Sequence, residues 1–225
     1  MGDEAAVEPF AVKDCALVAI ATGRHARNLR ELCDALQTIH PECIYYHFWG
    51  ILLRPHFDDP EYKNDFASWV WYELHDVPLA ERLAVIDPAE AGDLEGLRQR
   101  VVATLEQRLD EIESPTWTPP DRQFHFVRAQ TVVFDTGRRI RHPRELADVV
   151  PTLSLGSVYY HVIDARRRVP QAVDDFRAWL GRWPGGYEAL RADLAALDPY
   201  FAPLGELRQQ LAAVFRGRGR DGGGP

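Results

Sequence analysis

The sequence predicts a mainly α protein with a small β component, an α+β fold in which a strand-plus-helices module occurs twice in tandem. Three observations predict this class. The 225-residue chain is 46% hydrophobic, which is enough for a substantial core and excludes wholesale disorder. The chain matches itself at a nearly fixed offset, and most of each matching half has apolar residues at helical spacing.

The internal match is the strongest of these observations. An offset of 114 positions aligns residues 10–48 with 124–162 without a gap, and 14 of the 39 pairs are identical. Unrelated segments of this length would share about two or three. At an offset of 110 the pattern Asp-Phe-x-x-Trp recurs, at residues 65–69 and 175–179. We therefore predict a tandem duplication whose copies are related by a pseudo-twofold axis.

The duplication divides the chain into five predicted segments. Prolines between the copies fix their own backbone angles and disfavour helix before them, so this stretch is expected to be an extended linker. The tail has no apolar residue to anchor it. The predicted segments are a disordered N-terminus at 1–9, repeat one at 10–113, a proline-rich linker at 114–123, repeat two at 124–216 and a disordered tail at 217–225.

Each repeat is predicted to open with one strand. In the second copy Phe124, Phe126 and the β-branched and aromatic residues 131–134 indicate it, and the apolar segment 16–21 is assigned to a strand by analogy. The dipeptide Thr-Gly, at residues 22–23 and 136–137, is expected to end each strand. A single strand cannot satisfy its own edges, so the two strands are expected to pair with each other.

A helix is expected to follow each strand. It would begin at Asn28 in the first copy, because Asn28 and Glu31 have the capping-box spacing, and Pro143 would take the first helical position in the second. Periodicity predicts further helices in both copies. Their ranges are 63–75, 79–86 and 93–112 in repeat one, and 173–182, 187–197 and 203–215 in repeat two.

The segment 44–53 is ambiguous between helix and strand, because Ile-Tyr-Tyr-His-Phe-Trp has the composition of a strand. We assign it to a helix on the basis of the second copy. There the matching segment continues to Asp164 and Arg168, which are spaced for an ion pair one helical turn apart.

Two His/Asp pairs are the first candidate site, because they place polar residues among aromatic ones in both copies. They are His47 with Asp65, and His161 with Asp175. Each pair could be a buried tether between two helices, in which each group satisfies the other. The four residues could instead form one site at the pseudo-twofold axis, either a metal bound by His47 and His161 with both aspartates or an acid/base pair.

Two sets of arginines are the second candidate site. They follow Thr-Gly and are expected before or within the first helical turn, where cations oppose the helix dipole. Neighbouring acids such as Glu31 and Glu145 could offset them. A bound anion, held by guanidinium groups and helix N–H donors, is the other possibility. The arginines are Arg24, Arg27 and Arg30 in the first copy and Arg138, Arg141 and Arg144 in the second.

Charge and cysteine content limit the partners and the cellular compartment that the sequence predicts. The net charge of −8 argues against a general nucleic-acid binder and a membrane-surface protein. Residues 1–113 carry −12 and residues 114–225 carry +4, which favours contact between the halves or head-to-tail homo-oligomers. Three cysteines without C-x-x-C spacing and the lack of an export signal predict the cytoplasm. The 24 arginines against two lysines suggest a GC-rich bacterial genome.

Four strings in the first copy carry a resemblance to a known family. With them the chain resembles an uncharacterised prokaryotic family of unknown function, whose members have Tyr-His, then Asn-Asp-Phe-Ala-x-Trp and Leu-Ala, in one or two copies. The resemblance implies a modular fold and supplies no catalytic residues. The second copy has Asp174 in place of the Asn and Arg177 in place of the Ala. The strings are Ile44-Tyr45-Tyr46-His47-Phe48-Trp49, Asp59-Pro60-Glu61-Tyr62, Asn64-Asp65-Phe66-Ala67-x-Trp69 and Leu79-Ala80-Glu81-Arg82-Leu83.

These observations predict a non-enzymatic cytoplasmic double module that binds a small anionic ligand or a protein in a regulatory or scaffold role. The common phosphate-binding, dinucleotide, zinc-protease and serine-hydrolase motifs do not occur in the sequence, and no cofactor is expected. Membranes and nucleic acids are not expected partners. The alternative is an enzyme, such as a metal-dependent hydrolase, with a His/Asp site at the interface of the two copies.

Overall fold

The computed structural model places most of the chain in helices and confirms the mainly α fold with a small β part. Of the predicted linker only residues 122–123 are described, and most of both predicted disordered termini lies outside the described residues. No helix within the described residues combines the length and the apolarity needed to cross a membrane. The described residues are 7–54, 60–112, 122–169, 171–184, 187–200 and 202–219.

Two long strands form the β part. Strand β1 (Phe10–Ala26) and strand β2 (Phe124–Ile140) each have 17 residues and pair with each other in an antiparallel sheet. The expected pairing of the two strands is therefore present. Both strands extend beyond the apolar segments that indicated them, since β1 runs from Phe10 to Ala26 and β2 continues to Ile140.

The prediction that Thr-Gly ends each strand is wrong. Gly23 and Gly137 lie inside the strands with a φ of 74°. A left-handed glycine within a strand is typical of a β-bulge, which bends a strand without ending it. The threonine before each glycine bonds the opposite strand: the hydroxyl of Thr22 donates to the carbonyl of Phe126 at 2.7 Å, and that of Thr136 to the carbonyl of Val12 at 2.6 Å.

The chain folds as two compact units. The central unit is Leu17–Thr131, and the terminal unit combines Met1–Ala16 with Val132–Pro225. Each unit thus contains one half of β1 and one half of β2. The units differ from the predicted repeats in this respect, because each strand that opens a repeat is divided near its middle.

In the central unit, the side chain of Asn28 caps the first helix and accepts a hydrogen bond from the Glu31 N–H at 2.8 Å, as its position predicted. The ambiguous segment is helical and ends in a 3₁₀ turn at Gly50–Leu53. A second 3₁₀ turn lies at Pro88–Ala91. The α-helices are α1 (Leu29–Thr38), α2 (Pro41–Trp49), α3 (Asp65–Leu74), α4 (Val77–Ala84) and α5 (Leu94–Glu111).

The terminal unit has shorter helices. Pro143 takes the first position of a 3₁₀ turn, Pro143–Glu145, as predicted for the start of a helix, and another turn covers Val150–Thr152. A π-helical segment, Tyr159–Asp164, joins two of the α-helices without a break. The α-helices are α6 (Leu146–Val149), α7 (Leu155–Val158), α8 (Ala165–Arg168), α9 (Asp175–Leu180), α10 (Glu188–Ala195) and α11 (Leu204–Gly219).

The bulge glycine makes the first testable prediction. Replacing Gly137 by Ala should lower the free energy of unfolding by about 1 kcal/mol, because an alanine is strained at a positive φ. A Cβ there would have no atom within 4 Å, so the backbone alone would cause the loss. Gly205 in α11 is the control, since alanine in a helix should stabilise by about 0.5–1 kcal/mol. Urea unfolding of both variants measures whether each substitution raises or lowers the free energy of unfolding. A Gly137→Ala protein as stable as wild type would contradict the bulge.

Candidate functional site

In the central unit a buried histidine joins two helices to strand β2. His47 lies in α2, and its Nδ1 is 2.8 Å from Oδ2 of Asp65, the first residue of α3. Its Nε2 accepts the backbone N–H of Val127 at 3.1 Å. An amide N–H can only donate, so Nε2 carries the lone pair and Nδ1 carries the proton that it donates to the carboxylate. The ring is a neutral tether with both nitrogens in use.

Arg54 completes this arrangement from the opposite side of the carboxylate. Its Nη2 and Nη1 donate to Oδ2 and Oδ1 of Asp65 at 2.7 and 3.3 Å, and its guanidinium lies 4.8 Å from the centre of the Tyr46 ring. Burial lowers the pKa of His47, in opposition to Asp65. Burial would raise the pKa of Asp65, but the hydrogen bonds from His47 and Arg54 and the positive charge of Arg54 outweigh it, and that pKa is lowered. The aspartate is therefore ionised beside a neutral imidazole.

The terminal unit contains the same arrangement. His161, in the π-helical segment, places Nδ1 2.8 Å from Oδ2 of Asp175, and its Nε2 accepts the backbone N–H of Lys13 in β1 at 2.9 Å. Arg168 donates from Nη2 to Oδ2 of Asp175 at 3.0 Å and lies 3.8 Å from the centre of the Tyr160 ring. We call each set of tyrosine, histidine, arginine and aspartate a His–Asp–Arg frame.

A tryptophan holds the strand beside each frame. The indole N–H of Trp69 donates to the carbonyl of Arg122, and that of Trp179 donates to the carbonyl of Glu8, both at 2.8 Å. Helix side chains thus satisfy backbone groups near the start of each strand, groups that would otherwise need another strand or water. The frames fix the strands to the helices in both units.

The structure brings the four predicted His and Asp residues together as two separate pairs. His47 with Asp65 belongs to the central unit, and His161 with Asp175 to the terminal unit. Within each pair the geometry is that of a tether, since neither ring has a nitrogen left for a metal ion or a substrate proton. Among the described residues, no three His, Cys, Asp or Glu side chains form a group that could hold a metal ion.

The six predicted arginines are exposed and line neither of the two clefts described below. In the first set, Arg27 pairs with Glu31 at 3.1 Å and Arg24 donates to the hydroxyl of Thr38 at 3.1 Å. In the second, Arg138 donates to the hydroxyl of Thr152 at 2.7 Å and Arg144 to Nδ1 of His142 at 3.2 Å. The other two predicted arginines, Arg30 and Arg141, are likewise exposed and outside both clefts. An anion site at these residues stays a prediction.

A cleft of about 800 Å³ opens beside the frame of the terminal unit. Glu8 and Asp175 line it, and the carboxylate of Asp175 already accepts hydrogen bonds within the frame. Basic side chains outnumber these two acids, and the cleft is therefore electropositive. The basic lining residues are Lys13, Arg168, Arg177, Arg182 and Arg191.

Three of these cations lie outside the ion pairs that the described residues form. The side chains of Lys13, Arg182 and Arg191 form no ion pair with any residue in the described part of the chain. Arg177 lies 3.8 Å from Oδ2 of Asp174, and its buried Nε has no hydrogen-bond partner among the described residues. Arg168 is used by its frame. The cleft therefore collects positive charge that the described residues leave largely unbalanced.

A smaller cleft of about 350 Å³ lies beside the frame of the central unit. Apart from histidines, Arg54 is the basic residue among the described residues that line it, and its two acids are Asp65 and Glu73. Two of its aromatic side chains are Tyr46 and Tyr72. The two clefts thus flank similar frames but differ in charge.

The offsets of the internal sequence match align neutral residues with three of the basic residues of the larger cleft. Lys13 aligns with Val127, Arg177 with Ala67 and Arg182 with Tyr72. Our sequence reasoning used identities between the copies and missed these residues. The informative positions are instead those that differ in charge. Close to a shared motif, one copy has a neutral residue where the other has a basic one.

The three cysteines line neither cleft. Cys15, Cys33 and Cys43 are buried as free thiols. Burial raises the pKa of all three, that of Cys15 to about 12, so their thiolates are suppressed at neutral pH. Their environment is that of packing residues.

Comparison with known proteins extends over both units. The model of DUF5752, a family of unknown function, matches residues 7–216. The solved structure of OrfY from Thermoproteus tenax is similar at 30% sequence identity with a TM-score of 0.81, over 95% of this chain and 97% of that chain. None of the curated proteins is significantly similar to this chain. The predicted resemblance to a family of unknown function is confirmed.

The lowered pKa of His47 makes a prediction about stability. As pH falls, the unfolded chain protonates this histidine near its ordinary pKa of about 6.5, while the folded protein keeps it neutral to a lower pH. The contribution to the free energy of unfolding should be full above about pH 6.5 and decrease below it, by at most about 1.4 kcal/mol per pH unit. His47→Asn should lower the stability and remove this slope in urea unfolding between pH 5 and 7. The exposed His25→Asn is the control, and an unchanged slope in His47→Asn would contradict the tether.

Proposed function

This chain belongs to the DUF5752 family, whose function is unknown, and we propose that it binds a small anionic ligand in the cleft of its terminal unit without chemically changing it. The observation that carries the proposal is a cleft of about 800 Å³ whose cations Lys13, Arg182 and Arg191 form no ion pair within the described residues. A volume of this order is typical of sites for small molecules. The proposal makes the protein a binding module, in a regulatory or scaffold role.

The energetics favour an anion in this position. Cations gathered in one concave surface repel each other and raise the local positive potential, which concentrates anions from solution. Surface arginines ordinarily form an ion pair with an acidic side chain or lie apart from one another in contact with water. A bound anion relieves the repulsion among Lys13, Arg182 and Arg191, and hydrogen bonds between charged groups are stronger than neutral ones.

Binding fits the cleft better than catalysis does. The nearest candidate base, His161, has Nδ1 bonded to Asp175 and Nε2 bonded to the amide of Lys13. Asp175 is held by its histidine and by Arg168. A general base needs a lone pair within reach of the substrate proton, and the frame uses the lone pair that the imidazole has. The hydrolase alternative therefore has no support from these groups.

The central cleft serves as an internal reference. It lies beside a frame with the same His–Asp distance of 2.8 Å, but Val127, Ala67 and Tyr72 replace three cations of the terminal cleft at the aligned positions. Under the predicted duplication, the frame is the common element and the basic rim is the addition in one copy. Arg177 lies at ion-pair distance from Asp174, but Lys13 and Arg182 form no ion pair within the described residues, and a ligand would supply the negative charge that they lack.

Two further expectations from the sequence are part of the proposal. They are the cytoplasmic location and the possibility of homo-oligomers or a protein partner. We propose that the protein acts in the cytoplasm, on the basis of its sparse cysteines, all of them free thiols. Homo-oligomers and a protein partner are compatible with an anion-binding module, because ligand occupancy can alter an adjacent protein surface.

Thermal unfolding of the full chain in citrate, sulfate and phosphate tests the proposal. At 10 mM, and against sodium chloride of equal ionic strength, at least one anion should raise the Tm of wild type by several degrees, since about 1 kcal/mol of ligand binding shifts a domain of this size by about 2–4 °C. Arg182→Ala combined with Arg191→Ala should abolish the shift. The matched control is Arg138→Ala with Arg144→Ala, which removes two charges of the same unit outside the cleft. Loss of the shift in the control instead, or no shift in wild type, would contradict the proposed cleft.

A further inference from the structure

We infer that the ligand of the terminal cleft is an organic phosphate, a dianionic phosphate ester on an uncharged body. The inference rests on the proposed function and specifies the ligand of the same site. It is carried by three features of the cleft: the amount of unbalanced charge, the predominance of arginine, and the volume and neutral surface beyond the basic residues.

The amount of charge favours a dianion. Within the described residues Lys13, Arg182 and Arg191 form no ion pair, and Arg177 lies 3.8 Å from Oδ2 of Asp174. A monocarboxylate would offset one charge. A phosphate monoester carries about −1.5 to −2 at neutral pH, because its second pKa is near 6. It therefore matches the cleft more closely than a monoanion does.

The predominance of arginine favours a tetrahedral oxyanion with several acceptors. A guanidinium group presents a planar fork of N–H donors that binds phosphate with two parallel hydrogen bonds. The buried Nε of Arg177 lies 3.8 Å from Oδ2 of Asp174, which is too far for a hydrogen bond, so this donor has no hydrogen-bonded acceptor among the described residues. The Arg191 guanidinium lies against Gly181, where an added Cβ would be 3.4 Å from its Cζ. A larger residue at 181 would crowd this arginine.

The volume leaves room for more than the phosphate group. One water molecule takes up about 30 Å³ in the liquid, and a phosphate ion of five heavy atoms fills only a small part of about 800 Å³. The rest of the wall is mostly uncharged, and Gln171 adds an amide that can donate and accept. Its apolar members include Pro9, Val169, Val173 and Ala178. This wall suits an uncharged organic body attached to the phosphate.

Titration calorimetry of the full chain tests the inference with matched probes. The esters are adenosine 5′-monophosphate and glycerol 3-phosphate, each paired with its alcohol, adenosine or glycerol, and inorganic phosphate, sulfate and citrate complete the set. At least one ester should bind about tenfold or more tighter than both its alcohol and inorganic phosphate. The ester's affinity should rise several-fold from pH 5.5 to 7.5 as the phosphate gains its second charge. Sulfate is dianionic throughout and reports any titration of the protein's own groups in the cleft, Glu8, Asp175 and His161.

Substitutions taken from the central unit locate the binding. Arg182→Tyr and Lys13→Val place in the terminal cleft the residues that align with them, and each should weaken ester binding about tenfold, the effect of one lost charge-assisted hydrogen bond. Arg182→Lys retains the charge without the fork and should recover part of the loss. Arg138→Ala, outside the cleft, should bind as wild type does. Circular dichroism confirms that each variant is folded.

The outcomes separate the inference from the function on which it rests. If citrate or sulfate binds in the cleft and neither ester exceeds inorganic phosphate, the organic phosphate is wrong and the anion-binding function stands. Equal ester affinity at pH 5.5 and 7.5, with sulfate unchanged, also overturns the dianion. If no anion binds, or if binding survives Arg182→Tyr and Lys13→Val unchanged, both proposals fail.

Discussion

A neutral imidazole between an aspartate and a strand amide is the interaction on which both units depend. The bond has a strict requirement, because one ring nitrogen must donate while the other accepts. His47 meets it between Asp65 and Val127, and His161 meets it between Asp175 and Lys13. The rigid ring also fixes the separation between the carboxylate and the amide. Loss of the ring would leave a strand N–H without its acceptor in a largely apolar environment. A buried polar side chain is therefore needed at this position.

This use of the histidine determines where function can lie. In a frame the aspartate is ionised, the imidazole is neutral and the arginine is bound. Few of these donors and acceptors remain free to act on a substrate. The frame does provide a fixed scaffold, since both the helices and the strand at the cleft are held in place. Residues at its rim can then change without disturbing the fold. The terminal unit has Lys13, Arg177 and Arg182 at such positions, and the central unit has neutral residues at the aligned ones. Rigid support of this kind is what a binding site needs.

The sequence predicted the elements better than the location of the candidate site. Helical periodicity, the cap at Asn28 and the position of Pro143 are local signals, and they located most helices within a few residues. Thr-Gly was misread because glycine's freedom at positive φ serves a bulge inside a strand as well as a turn after it. The His/Asp pairs could be found from the repeat, but their hydrogen bonds to strand amides could not, because sequence does not specify which distant backbone group faces a ring. Likewise, Lys13 and Arg191 come together only through tertiary packing.

The strand amides also explain why sequence repeats and compact units differ. The acceptor nitrogen of His47 bonds an amide at Val127, beyond the end of repeat one, and that of His161 bonds an amide at Lys13, in repeat one. Each frame therefore takes its helices from one repeat and its strand amide from the other. Internal identity in the sequence shows which segments resemble each other, whereas the contacts show which segments stabilise each other. The two need not coincide when the matching strands pair, and here the difference places Lys13, a residue near the N-terminus, in a cleft built by helices of the second half.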